Sequence, residues 1–156
     1  MNWPYLHTLI NHFPIILIVM AATAAVVALF SGRRSIWLYA LATLTFAGLS
    51  SFPAFFSGDK ASDVMRNKWY VVPEMIHEHE EAAEVALWIV LIAGVIGAYA
   101  WWRQVRRDRD TLLPRWLQLI VVLAALAGVG TVAFAAYDGG KIVHESPKLV
   151  APTGGK

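Results

Sequence analysis

The sequence predicts an all-α integral membrane protein: an antiparallel bundle of four transmembrane helices with both termini on the outer, periplasmic face. Three observations carry this expectation. Hydrophobic residues make up 58% of the 156-residue chain, against about 45–50% in an ordinary soluble domain, and the mean hydropathy is +0.54. The excess is gathered into four apolar segments, each long enough to cross a hydrocarbon core. The two tight loops between them are rich in arginine, with Arg33 and Arg34 in one and Arg103, Arg106, Arg107, Arg109 and Arg115 in the other. Both loops fall on one side of the bundle, which the positive-inside rule makes cytoplasmic.

Span one covers about 13–31. Pro14 sits in its first turn, where a missing N–H costs little, and Ser31-Gly32-Arg33-Arg34 ends it. The preceding W-P-Y-L-H-T-L-I-N-H reads as a separate interfacial turn or a kinked extension. No Lys or Arg stands ahead of this run, so a retained span is expected rather than a cleaved signal. Span two covers about 36–56, with Ser57-Gly58-Asp59 as the expected stop. A polar connector, Gly58 to Val72, follows and closes on Trp69 and Tyr70 as interfacial anchors. Trp37, Trp101, Trp102 and Trp116 are expected to form the inner aromatic belt. Span three, about 74–103, is roughly 45 Å long at ~1.5 Å per residue, more than a hydrocarbon core needs. Its first turns must project beyond the lipid. Span four covers about 112–138 and is expected to end at Asp138-Gly139-Gly140. Residues 1–147 form one domain and 148–156 a C-terminal tail, with no internal repeat apparent.

Several function classes are disfavoured. With no cysteine there are no disulfides, thiolate metal sites, iron–sulfur ligands or covalent c-type haem attachment. A net charge of +2 gives no reason to expect a nucleic-acid partner. No charged residue lies mid-span, where pumps and transporters keep their relays. His79-Glu80-Glu81-Ala82-Ala83 lacks the second histidine of a zinc-protease helix. Enzymatic activity is left undecided; a non-enzymatic electron-transfer or accessory subunit is the favoured expectation.

The chemistry-bearing residues cluster. Val72 to Trp88 holds two histidines and five glutamates. Four antiparallel spans bring His7, His12, His77, His79 and His144 to one end, together with nine of the eleven acids. Counting back from the inner arginines, His12 lies 21 residues from Arg33 and His79 lies 24 from Arg103, heights that differ by roughly 5 Å. His7 and His77, each 26 residues away, share a higher level. From His79, Ala83, Ala86, Val90, Gly94 and Gly97 form a stripe of small residues at helical spacing, the kind that faces neighbouring helices, so His79 should point inward. Ala124, Gly128 and Ala135 form a matching stripe on span four. Glu74, Glu78 and Glu81 fall on another face and should be solvated.

Three readings follow. The first is haem b held between helices by imidazole ligands, with His12 and His79 the best pair. His7 with His77, or His144 as a substitute, would serve a second site, and Lys60, Arg66, Lys68 or Lys141 would meet the propionates. The second is a divalent metal ion such as Cu, Zn or Fe, held by the same histidines and neighbouring glutamates. The third is a non-catalytic membrane subunit or anchor whose histidines sit at a wet interface.

The motif order resembles a bacterial four-helix membrane domain family of unknown function. The matching residues are Leu6-His7, His12-Phe13-Pro14-Ile15, His79-Glu80 followed by Ala82-Ala83, and Gly139-Gly140-Lys141-Ile142-Val143. Members are similar to b-type cytochrome bundles, and some are joined to redox domains such as Rieske iron–sulfur modules. The resemblance therefore implies a redox setting in the bacterial inner membrane, with other membrane or periplasmic redox subunits as partners; a homo-oligomer is also compatible. The chain departs from the family where Tyr, one residue, then His-Gly is usual: it has His144-Glu145-Ser146-Pro147.

Overall fold

The computed structural model describes residues 2–66, 68 and 71–144, and these form five helices: α1 (Trp3–Ile10), α2 (His12–Ser31), α3 (Arg34–Met65), α4 (Pro73–Val105) and α5 (Arg115–His144). Four stretches are long and apolar enough to cross a membrane: Trp3–Ser31, Arg34–Met65, Pro73–Val105 and Arg115–Ile142. Trp69, Tyr70 and the tail from 145 onward lie outside the described residues.

The segment ahead of span one is a helix of its own. Asn2 caps it by accepting from the Tyr5 N–H at 3.3 Å. It breaks from α2 at Asn11 because Pro14 has no N–H for the Ile10 carbonyl, and its ring crowds that oxygen. At the other end of α2, Gly32 takes a left-handed conformation (φ 64°) and donates its N–H to the Ala28 carbonyl at 3.0 Å, closing the helix as glycine C-caps do.

Two expected stops are not stops. α3 runs through Ser57-Gly58-Asp59 to Met65, and α5 runs through Asp138-Gly139-Gly140 to His144. Glycine weakens a helix by only about 1 kcal/mol per residue, and packing outweighs that here.

The helices run antiparallel. The start of α3 meets the end of α4, where the Arg34 guanidinium donates to the Gln104 carbonyl at 2.6 Å. The start of α5 meets the end of α2, where Arg115 donates to the Leu29 carbonyl at 3.1 Å. α2 packs on α3 and α5, and α4 on α3 and α5, which closes a ring of four; α1 packs on α3. The closest approach is between α3 and α4. A Cβ placed on Gly48 would lie 2.8 Å from the Gly94 Cα, and one on Gly94 equally close to the Gly48 Cα. Ala86, Val90, Gly94 and Gly97 are all buried, so the small-residue stripe faces inward as expected.

The core is uneven along the bundle. The main cluster, including Ile18, Trp37, Leu41, Leu44, Val90 and Val121, fills the arginine end and the middle. Trp37 is fully buried there, not in an interfacial belt. Gln104, also fully buried, ties off this end: its amide donates to the Thr111 carbonyl and its oxygen accepts from the Leu113 N–H. At the histidine end the contiguous apolar cluster is small, Ala82, Ala86 and Ala135, with Ala54, Ala61 and Ile76 buried apart from it. Outside, Phe30, Leu49, Trp88, Val95 and Leu123 are more than half exposed, an apolar surface suited to lipid rather than water.

Candidate functional site

Where the core thins, a cavity of about 760 Å3 opens between the helices. Its walls come from α1 to α5, and His7, His12, His77 and His79 all line it. The volume lies within the roughly 300–1,000 Å3 typical of small-molecule and cofactor pockets.

His7 and His79 stand in matching surroundings. The His7 Nδ1–H donates to the Ala54 carbonyl of α3 at 3.1 Å, and the His79 Nδ1–H donates to the Ala135 carbonyl of α5 at 2.9 Å. A carbonyl only accepts, so each neutral ring carries its proton on Nδ1 and keeps the Nε2 lone pair for a ligand. Four residues beyond each acceptor is a glycine on which the ring lies. A Cβ on Gly58 would meet His7 Cε1, Nδ1 and Nε2 at 2.9, 3.2 and 3.5 Å; one on Gly139 would meet the same atoms of His79 at 3.0, 3.2 and 3.7 Å. The two rings thus sit on their host helices in nearly the same pose. Gly58 and Gly139 are each the twenty-fifth residue of their helices, which puts the rings at one level.

A short recurrence underlies this match. Ala54-Phe55-Phe56-Ser57-Gly58-Asp59-Lys60 aligns with Ala135-Ala136-Tyr137-Asp138-Gly139-Gly140-Lys141. The shared pattern is Ala, any residue, an aromatic, Ser or Asp, Gly, any residue, Lys. Its side chains repeat their roles: Lys60 lies over the Phe56 ring at 5.8 Å and Lys141 over the Tyr137 ring at 4.6 Å. Ser57 and Asp138 are both buried. Ser57 Oγ is 3.3 Å from His7 Nδ1, whereas Asp138 turns to Lys141 at 2.7 Å. Ala54, Gly58, Ala135 and Gly139 are the site residues that reading for ligand types overlooked, and this recurrence was the signal for them.

The other histidines differ. His12 is exposed and donates from Nδ1 to the Thr8 carbonyl of its own chain turn at 2.6 Å. His77 Nε2 lies 3.3 Å from Glu81, with both side chains about 70% exposed. No hydrogen bond joins His77 to His7 among the described residues. His144 is exposed at the last described position of α5. Counting heights along one continuous helix matched His79 with His12; the break at Asn11 takes α1 onto α3 and makes His7 the residue in the equivalent setting. Glu74, Glu78 and Glu81 are exposed, as their stripe implied.

At the rim, Arg66 just beyond α3 pairs with Glu80 of α4. The Glu80 hydrogen bond and charge hold the guanidinium above even its ordinary high pKa. Among the described residues no three His, Asp or Glu come together as an ion-binding group. No family model matches the chain, and neither a curated protein nor a solved structure does.

Proposed function

We propose that this chain is a membrane-embedded, b-type cytochrome-like subunit that holds haem b between helices, with His7 and His79 as axial ligands, and takes part in electron transfer within a larger complex. The observation that carries the reading is the matched pair of rings. Each is fixed by an Nδ1–H bond to a backbone carbonyl, the arrangement that orients and tunes metal-bound imidazoles. A porphyrin supplies four ligands in its plane, so two imidazoles complete the iron and leave no open position for substrate. That favours electron transfer over catalysis. A bare ion asks the protein for more, about three or four ligands at a zinc site, and the two matched histidines fall short of that. The bacterial inner membrane, with the arginine end cytoplasmic and the histidine end and both termini periplasmic, is the setting that the loop arginines support. The resemblance to b-type cytochrome bundles and to domains joined with Rieske modules points the same way, towards neighbouring redox subunits.

The test is to purify the protein from haem-replete membranes, record its spectrum before and after dithionite, and assay pyridine haemochrome. A Soret band that shifts on reduction, with haem near one per chain, is expected. Colourless protein with intact helical circular dichroism sinks the proposal. Stoichiometric copper, zinc or iron without porphyrin replaces it with the metal-ion reading.

Gly58→Ala and Gly139→Ala probe the supports of the rings. Each methyl would push on a ring at about 3 Å without adding or removing a ligand. Haem affinity should fall by about tenfold in each variant, the lower end of what disturbing the support of a metal ligand costs, with the visible spectrum otherwise kept. Gly130→Ala, whose Cβ meets nothing within 4 Å and which does not line the cavity, is the control and should leave affinity unchanged.

A further inference from the structure

Among the described residues that line the cavity, Arg66 is the one Lys or Arg side chain; the same lining carries the carboxylates of Asp59, Glu80, Glu81 and Glu84, of which Glu80 pairs with Arg66. Arg66, the C-cap of α3, also makes the one ion pair among the described residues that reaches from the end of one helix to another helix. The others each tie a residue to its own helix. Glu80 engages a single nitrogen, Nη2, and a guanidinium has five donors in a planar fork. Among the described residues the other donors of Arg66 have no hydrogen-bond partner, which leaves them for a second carboxylate at the rim.

We propose that Arg66 is the carboxylate-binding subsite of the cavity, positioned by Glu80 to receive an acidic arm of the bound ligand. This rests on the haem b reading and adds a specificity to it. Haem b carries two carboxylate arms on one edge. A macrocycle held by His7 and His79 with that edge towards the rim would bring its arms to Arg66 and to water. Among the described residues of the lining the other formally charged side chains are carboxylates, and like charges repel. A planar cation that pairs with carboxylates through parallel hydrogen bonds suits the position better than an ammonium. Arg66 thus selects the acid form of the ligand over an esterified one.

The experiment compares haem b with its dimethyl ester, measuring how fast each leaves the detergent-solubilised full chain for an excess of apomyoglobin. Arg66→Gln should speed the exit of haem b by about three- to tenfold, a modest effect because the side chain is half exposed and screened by solvent. It should leave the exit of the ester unchanged. Arg66→Lys should fall between Arg66→Gln and wild type for haem b, and raised salt should shrink the difference. Equal acceleration of both ligands, or none of either, overturns the subsite while leaving the haem reading in place. A folded wild-type chain that takes up neither ligand overturns the haem reading and the subsite with it.

Discussion

Alanine at both His7 and His79 is expected to abolish haem binding, while alanine at His12 or His77 leaves the spectrum of the wild type. The contrast follows from surroundings rather than residue type. His7 and His79 each lie on a glycine of a neighbouring helix, held by a carbonyl of that helix at 3.1 and 2.9 Å. His12 bonds within its own chain turn, and His77 faces solvent and Glu81. Each single substitution should leave one imidazole on the iron, convert a low-spin spectrum to a high-spin one, and weaken binding by more than the roughly 10–100-fold typical of an outer-shell change. Added imidazole should enter the space left by His79→Ala and restore the low-spin form. Rescue of that kind separates loss of a ligand from loss of folding, and circular dichroism of the double variant checks that the helices remain.

The largest expected effect on stability is at the α3–α4 crossing. Gly94→Val would place its Cβ 2.8 Å from the Gly48 Cα, 3.3 Å from the Gly48 N and 3.5 Å from the Leu44 carbonyl oxygen. All three are backbone atoms, so no side chain can swing aside and the helices must part. Overpacking typically costs about 1–3 kcal/mol, and a backbone obstruction belongs at the upper end. Gly97→Ala meets Leu44 Cβ and Cγ at 3.1 and 3.2 Å and the Leu41 carbonyl oxygen at 3.3 Å, contacts looser than those at Gly94, and with its smaller side chain should cost less. Gly130→Ala meets nothing within 4 Å and should be neutral. The crossing also couples to the site, because α3 carries Ala54 and Gly58 while α4 carries His79. Gly94→Val should therefore weaken haem binding as well as lower the midpoint of denaturation, followed by circular dichroism in detergent.

Much of this arrangement is legible in residue patterns. Long apolar segments and helical spacing specify the helices, alternation of direction brings the histidines to one end, and the stripe from Ala86 to Gly97 marks the face that packs. Three features were hidden for physical reasons. Glycines beside Ser57 and Asp138 read as helix stops, yet here they make room for imidazole rings, and only the partner reveals that. Trp37 looks like an interfacial anchor by position, but it is buried in the main core cluster. The match of His7 with His79 depends on α1 leaving the axis of α2, a consequence of Pro14 that its place in a first turn understates. The seven-residue recurrence that hosts the two rings keeps only alanine, glycine and lysine in common, too little to stand out before both glycines were seen against histidines.

His7 and His79 are expected to ligate one haem iron between them. Low-temperature electron paramagnetic resonance of the oxidised, purified protein tests it most directly. A low-spin ferric signal of two imidazole ligands is predicted, retained in His12→Ala and His77→Ala and lost in His7→Ala and His79→Ala. A high-spin signal in the wild type, or a low-spin signal that vanishes with His12 and survives the loss of His7, would contradict it.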